Sequence, residues 1–150
     1  MRRESQHAAG IVLYRHDGER RYLLLRSALT RRPVWEFPKG GIEQGEVEQQ
    51  AAERELQEET GLALGDYTLQ PGFLEEERYF FTRGSGAEQL LVEKRVTYFL
   101  AEWRAGEVRL SPEATRYHWA SYDEAVRLLR FPQKRRVLEQ AERWLSEGVR

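Results

Sequence analysis

With 150 residues, 24 Lys and Arg against 25 Asp and Glu, and no cysteine, this chain carries a formal charge of −1. Such a balance leaves no global field to recruit nucleic acid or an anionic membrane. Without cysteine there are neither disulfides nor thiolate metal sites, which suits a reducing cytoplasm.

A single domain, 1–150, is expected, long enough to bury roughly 68–70% of its unfolded surface in one core. Met1-Arg2-Arg3-Glu4 leads into a strand without the apolar h-region of a secretory signal. No apolar run approaches the roughly 20 residues that span a bilayer. The expectation is a cytoplasmic protein with no membrane partner and no stable nucleic-acid partner.

In chain order, Ala8 to Tyr14 reads as a buried strand, apolar on both faces. His16-Asp17-Gly18-Glu19 is a turn and Arg21 to Leu25 the returning strand. Residues 26–34 look irregular, after which Trp35 and Phe37 read as core anchors for the approach to Pro38-Lys39-Gly40-Gly41. A helix is predicted from about Glu46 to Thr60, with Val47, Ala51, Ala52 and Leu56 as its thin apolar side. Tyr67 to Gln70 and Phe73-Leu74 begin a second strand region that continues through Phe81, Thr82 to Gly86 is a turn, and Leu90 to Trp103 is a long strand. After the loop at Ser111-Pro112-Glu113, Tyr117 to Ala120 forms a short last strand. Ser121 and Glu124 make a capping box for a helix to Leu129. Pro132 then separates it from an amphipathic helix, Gln133 to Glu147, with Val137, Leu138, Ala141, Trp144 and Leu145 inward.

The chain is organised around Gly40 to Leu62, GGIEQGEVEQQAAERELQEETGL. Six of the fourteen residues from Glu46 to Glu59 are glutamates, and Glu55, Glu58 and Glu59 fall within a roughly 100° arc of the helix. Two carboxylates about 5.5 Å apart repel by roughly 3 kcal/mol at an effective dielectric near 20. An ordinary acidic face is solvated and interleaved with Lys. This one converges, and it is entered through a glycine loop that allows close backbone approach. A hard, oxygen-seeking divalent cation, Mg2+ or Mn2+, would relieve the repulsion.

Gly40, Glu46, Arg54, Glu55, Leu56, Glu58, Glu59, Gly61 and Leu62 stand at the spacing of the Nudix box, with no element missing. The chain resembles the Nudix hydrolases, and among them the asymmetrical diadenosine tetraphosphate hydrolases. Trp35 with Pro38-Lys39-Gly40 is similar to that group's Trp-any-any-Pro-Lys-Gly. The run from Gly72-Phe73 to Tyr79, the strand Lys94 to Glu102, and Leu110-Ser111-Pro112-Glu113 followed by Tyr117-His118-Trp119 resemble further segments of it. The family pattern usually places His where this chain has Gly41 and Pro where it has Gln44. It also tends to be basic where Glu88 and Glu93 stand here.

The resemblance implies an α/β fold, a mixed β-sheet sandwiched between helices as an α/β/α sandwich. It implies hydrolysis of a diphosphate-linked nucleotide, a small-molecule substrate, by a monomer or weak dimer. Gly40, Glu55, Glu58, Glu59 and Glu113 would be metal ligands, with Glu55, Glu58 and Glu113 acting in catalysis. Glu58 would be a ligand or the base, and the sequence does not separate the two roles. Lys39 and Lys94 would meet phosphates, Tyr79 and Tyr117 would sandwich an adenine, and Arg54 would pair with Glu46. Diadenosine tetraphosphate, split to ATP and AMP, is the first expectation. Diphosphoinositol polyphosphates, RNA 5′ ends or another nucleotide are alternatives, which Arg26, Arg31, Arg32 and Arg83 would suit. A catalytically inert nucleotide sensor is the non-enzymatic reading, and the intact glutamates oppose it.

Overall fold

The computed structural model describes residues 2–28 and 32–148; Arg31, one of the four arginines named above, lies outside them. Strand β1 (Arg2–Asp17) runs through the middle of an eight-stranded mixed sheet. It turns at Gly18 into β2 (Glu19–Ser27), and Tyr14 to Asp17 pair antiparallel with Glu19 to Tyr22. On its other side it runs parallel to β7 (Leu90–Trp103), in register from Arg2 with Leu90 to Tyr14 with Glu102. Three short strands, β3 (Trp35–Glu36), β4 (Lys39–Gly41) and β5 (Tyr67–Leu69), attach to β2, β1 and β7. Strand β6 (Glu75–Arg83) lines the far edge of β7, and β8 (Ala114–Ser121) that of β2.

Alternation along β1 sorts the core into two layers. Val12 and Tyr14, with Tyr22, Leu24, Val96, Tyr98 and Leu100, pack against helices α2 (Tyr122–Leu128) and α3 (Pro132–Ser146). Ala9, Ile11 and Leu13, with Leu23 and Leu25, pack against Ala51, Ala52 and Leu56 of helix α1 (Glu48–Thr60). A strand covered on both faces reads as one continuous apolar run, the pattern seen at residues 8–14. Helices on both sides of a mixed sheet make the expected sandwich.

The helix ends follow their local chemistry. Ser121 accepts from the Glu124 N–H at 3.2 Å while Glu124 accepts from the Ser121 N–H at 2.9 Å, the reciprocal box expected from the sequence. Pro132 does not merely break the chain before α3: it occupies the first turn, where its missing N–H costs nothing. Helix α1 starts two residues later than expected, because Glu46 belongs to a turn. Its N–H reaches the Glu43 carbonyl at 3.0 Å and its carboxylate accepts from the Glu43 N–H at 2.8 Å. Val47 is consequently 62% exposed rather than part of the apolar side. Strand β6 begins at Glu75 rather than Phe73, since Gly72 (φ 98°) turns the chain and drops Phe73 onto Trp144.

Candidate active site

The loop before α1 is held by β4, whose Lys39, Gly40 and Gly41 pair with Gly10, Ala9 and Ala8. From the helix side Arg54 clamps the same loop. Its Nε and Nη2 donate to the two oxygens of Glu46 at 2.7 and 3.0 Å, and Nη2 also donates to the Gly41 carbonyl at 2.8 Å. Its Nη1 donates to Glu55 at 2.8 Å and to Glu58 at 3.3 Å. One guanidinium thus spans loop and helix, a bidentate arrangement that a lysine cannot reproduce.

The three glutamates of the helix arc have separated. Glu55, its side chain 13% exposed, lies against Gly40, where an added Cβ would overlap its carboxyl group. Glu59, one turn on, is pushed up to about 9 by burial first and then by the hydrogen bond and charge of Glu55. Burial and a neighbouring acid both disfavour the charged form of Glu59. Glu58 turns outward to Arg54 and is 58% exposed. Among the described residues, no three acidic or histidine side chains are gathered closely enough to hold one ion as they stand.

The geometry at Gly40 separates two neighbouring glycines. Gly40→Ala should cut kcat at least about 10-fold by displacing Glu55, on the scale of disturbing a ligand's support. A Cβ at Gly41 meets nothing within 4 Å, so Gly41→Ala should change kcat little. Equal losses in a steady-state assay would remove this account of the loop.

Glu59 and Gly40 open onto a cleft of about 970 Å3 whose walls also carry Lys39, Tyr79, Lys94 and Glu113. Tyr79 and Lys94 are direct partners across β6 and β7. Lys39 pairs with Glu36 at 3.3 Å. Burial opposes its charge, yet Glu36, Tyr79 and Glu77 together keep it above the ordinary lysine value. Lys94 is held below that value, by burial first and then by the Lys39 cation. The cleft therefore holds a lysine short of negative charge.

Tyr117 is not in this cleft. It lines a second hollow of about 300 Å3 with Trp35, Arg116, His118, Glu124, Arg127 and Leu128. Tyr79 and Tyr117 line different hollows: Tyr117 sits on β8, which pairs with β2, and Tyr79 on β6, which pairs with β7 on the other side of β1. Of the arginines named from sequence, Arg32 lines the cleft, Arg83 is paired to Glu4 at 2.8 Å, and Arg26 is not on the wall. Reading along the chain missed Glu36, Phe81, Arg130, Phe131 and Lys134, all on the cleft wall. Only Glu36 left a signal, as an acid three residues before Lys39.

Residues 4–141 match the NUDIX domain model. The chain belongs to the Nudix family. Among characterised Nudix proteins it is 34% identical over 146 residues to the asymmetrical bis(5′-nucleosyl)-tetraphosphatase of Sus scrofa, covering 92% of this chain and 94% of that one. It is 30% identical over 122 residues to an RNA pyrophosphohydrolase of Xanthomonas campestris, with 75% of this chain and 58% of that one covered. Its fold superposes on the Ap4A hydrolase binary complex of C. elegans with a TM-score of 0.81, at 27% identity, covering 95% and 98% of the two chains. The Nudix box of this protein is thus the Gly40 loop, the Arg54 clamp and the Glu55–Glu59 pair. No helix of the described residues is long and apolar enough to cross a membrane.

Proposed function

We propose that this Nudix protein is a metal-dependent pyrophosphohydrolase of dinucleoside polyphosphates, splitting diadenosine tetraphosphate into ATP and AMP. The observation that carries this is the composition of one cleft: the Glu59 carboxyl, backed by Glu55, cations at Lys39 and Lys94, and an aromatic ring at Tyr79. A polyphosphate needs the first two and a base the third. Likeness to the Sus scrofa enzyme, over nearly the full length of both chains, favours the same substrate class.

The donors fit a hard cation. Two hydrogen-bonded carboxyl groups, Glu55 and Glu59, beside the Gly40 carbonyl are all-oxygen donors of the kind Mg2+ or Mn2+ takes. Glu55, Glu59 and the Gly40 carbonyl would hold it, joined by Glu58 on release from Arg54 and by Glu113 on the cleft wall. The bound cation would neutralise phosphate oxygens and acidify water. Lys39 and Lys94 bind the remaining phosphate oxygens, and Tyr79 stacks the base. A water oxygen bonds to phosphorus, the bridging P–O bond breaks, and a carboxylate, Glu58 or Glu113, takes the water's proton. We place the protein in the cytoplasm, as a monomer or weak dimer.

Product analysis tests this. In Mg2+ or Mn2+, diadenosine tetraphosphate should yield ATP and AMP; products without ATP would remove the substrate assignment, and no turnover of any diphosphate-linked compound would remove the activity. Tyr79→Ala should raise KM about 10-fold, since stacking a base on an aromatic is worth roughly 1–3 kcal/mol. Tyr117→Ala is the comparison. A similar rise there would mean the nucleotide reaches the second hollow as well, whereas an unchanged KM confines it to the cleft.

A second reading, a triphosphorylated RNA 5′ end, is favoured by one observation: Arg32 and Arg130 add cationic groups to the cleft wall. RNA bearing a 5′ triphosphate, assayed beside the dinucleotide, separates the two by kcat/KM.

A further inference from the structure

The apolar stripe of α3 begins with a lysine. Lys134, one turn before Val137 and Leu138, is 4% exposed, and its Nζ donates to Glu77 at 2.8 Å. Glu77 on β6 is 2% exposed and also accepts from the buried Tyr98 hydroxyl at 3.1 Å. The ammonium stands 5.7 Å from the ring centre of Tyr79. Next to it Gln133 accepts from the Arg78 N–H at 2.8 Å, so two successive residues pin the first turn of α3 to β6. The turn just before carries Arg130 and Phe131 into the cleft, with its Leu129 and Arg130 carbonyls accepting from Arg135 at 2.9 Å.

A buried ion pair adds little net stability, because desolvation offsets its attraction; apolar replacements of similar size are often neutral or stabilising. Packing alone therefore does not require this pair. What it does specify is the distance between two walls of the cleft. We propose that Glu77 and Lys134 are positioning residues, a buried strut that holds the Arg130–Phe131 turn at a set distance from Tyr79 and so tunes binding of the base. This rests on the nucleotide reading above for its ligand, but the strut itself does not.

The test is the full-length double variant Glu77→Leu/Lys134→Met. Its Tm should lie no more than a few degrees below that of the wild type, the loss coming from the Tyr98 hydroxyl left without its Glu77 acceptor. Amide hydrogen exchange across residues 130–134 should quicken at least about tenfold, and KM for diadenosine tetraphosphate should rise about tenfold with kcat within about threefold. Glu77→Gln, whose Oε1 can accept from Lys134 while its Nε2 donates to the Tyr98 hydroxyl oxygen, should hold KM within about threefold of wild type. Unchanged exchange overturns the strut, and quickened exchange with unchanged KM overturns its effect on the base. Failure of the double variant to fold also overturns it, since the pair would then be a stability element. If the wild type does not cleave the dinucleotide, the substrate reading fails while the exchange measurement still decides the strut.

Discussion

Glu59→Gln should lower kcat at least about 100-fold while making the metal-free protein more stable. The loss is the scale of removing an acid–base or metal-supporting group. The gain arises because Glu59 is confined beside Glu55, and repulsion between two such carboxylates reaches roughly 3 kcal/mol. The sign with pH follows from its raised pKa. Stability tied to such a group is present in full below the ordinary value of 4.5 and is lost as pH rises toward about 9. In chelator, the wild-type Tm should therefore fall between pH 5 and pH 9, and the Gln variant should fall by several degrees less. Adding Mg2+ should raise the wild-type Tm more at pH 8 than at pH 6, and should raise the variant's much less. A Gln variant less stable than wild type in chelator at pH 8 would show that Glu55 and Glu59 do not repel.

Arg54→Ala is expected to cost about 10–100-fold in kcat, as losses of ligand-orienting partners do. Four acceptors lose their donor together: Glu46, the Gly41 carbonyl, Glu55 and Glu58. Arg54→Lys should recover little, because a single ammonium cannot form the bidentate bond to Glu46 and still reach Glu55. Two of the three carboxylates that Arg54 releases, Glu55 and Glu58, are proposed ligands, so the defect should shrink as Mg2+ concentration is raised. Wild-type kinetics for the Lys variant would mean that only charge, and not the fork of the guanidinium, matters at this position.

The site was readable where its signal is local. Gly40, Glu46, Arg54, Glu55, Glu58 and Glu59 stand within 20 consecutive residues, and helix periodicity alone puts the last three on one arc. Local spacing did not reveal that the arc divides. Glu55 lies against Gly40 and Glu59 lines the cleft, whereas Glu58 turns outward, because the loop that Arg54 clamps arrives by pairing with β1, some 30 residues upstream. The error at Glu46 has the same root: a glutamate bound by an arginine eight residues ahead satisfies the turn and not the helix. Val47 became exposed in consequence.

Long-range pairing decided the rest. Period-2 alternation identifies β7 as a strand, but the register that sets Tyr79 beside Lys94 links residues 15 apart. The one that sets Tyr117 beside Leu25 links residues 92 apart. Two tyrosines 38 residues apart in the chain therefore line different hollows. Lys134 was invisible because a lysine opening an amphipathic helix reads as solvated; only its meeting with Glu77, 57 residues away, accounts for its burial.

By itself, then, the sequence determined the family, the bond type the box is built to cut and the layered fold. The family is written in the short-range spacing of the box, and the bond type and layered fold are what the resemblance to that family implies. Only the tertiary structure decided which carboxylates meet, which cations and rings share the cleft, and which polar groups are buried. Those are properties of strand register and helix docking, where groups far apart in the chain come within a few ångströms and shift one another's charge.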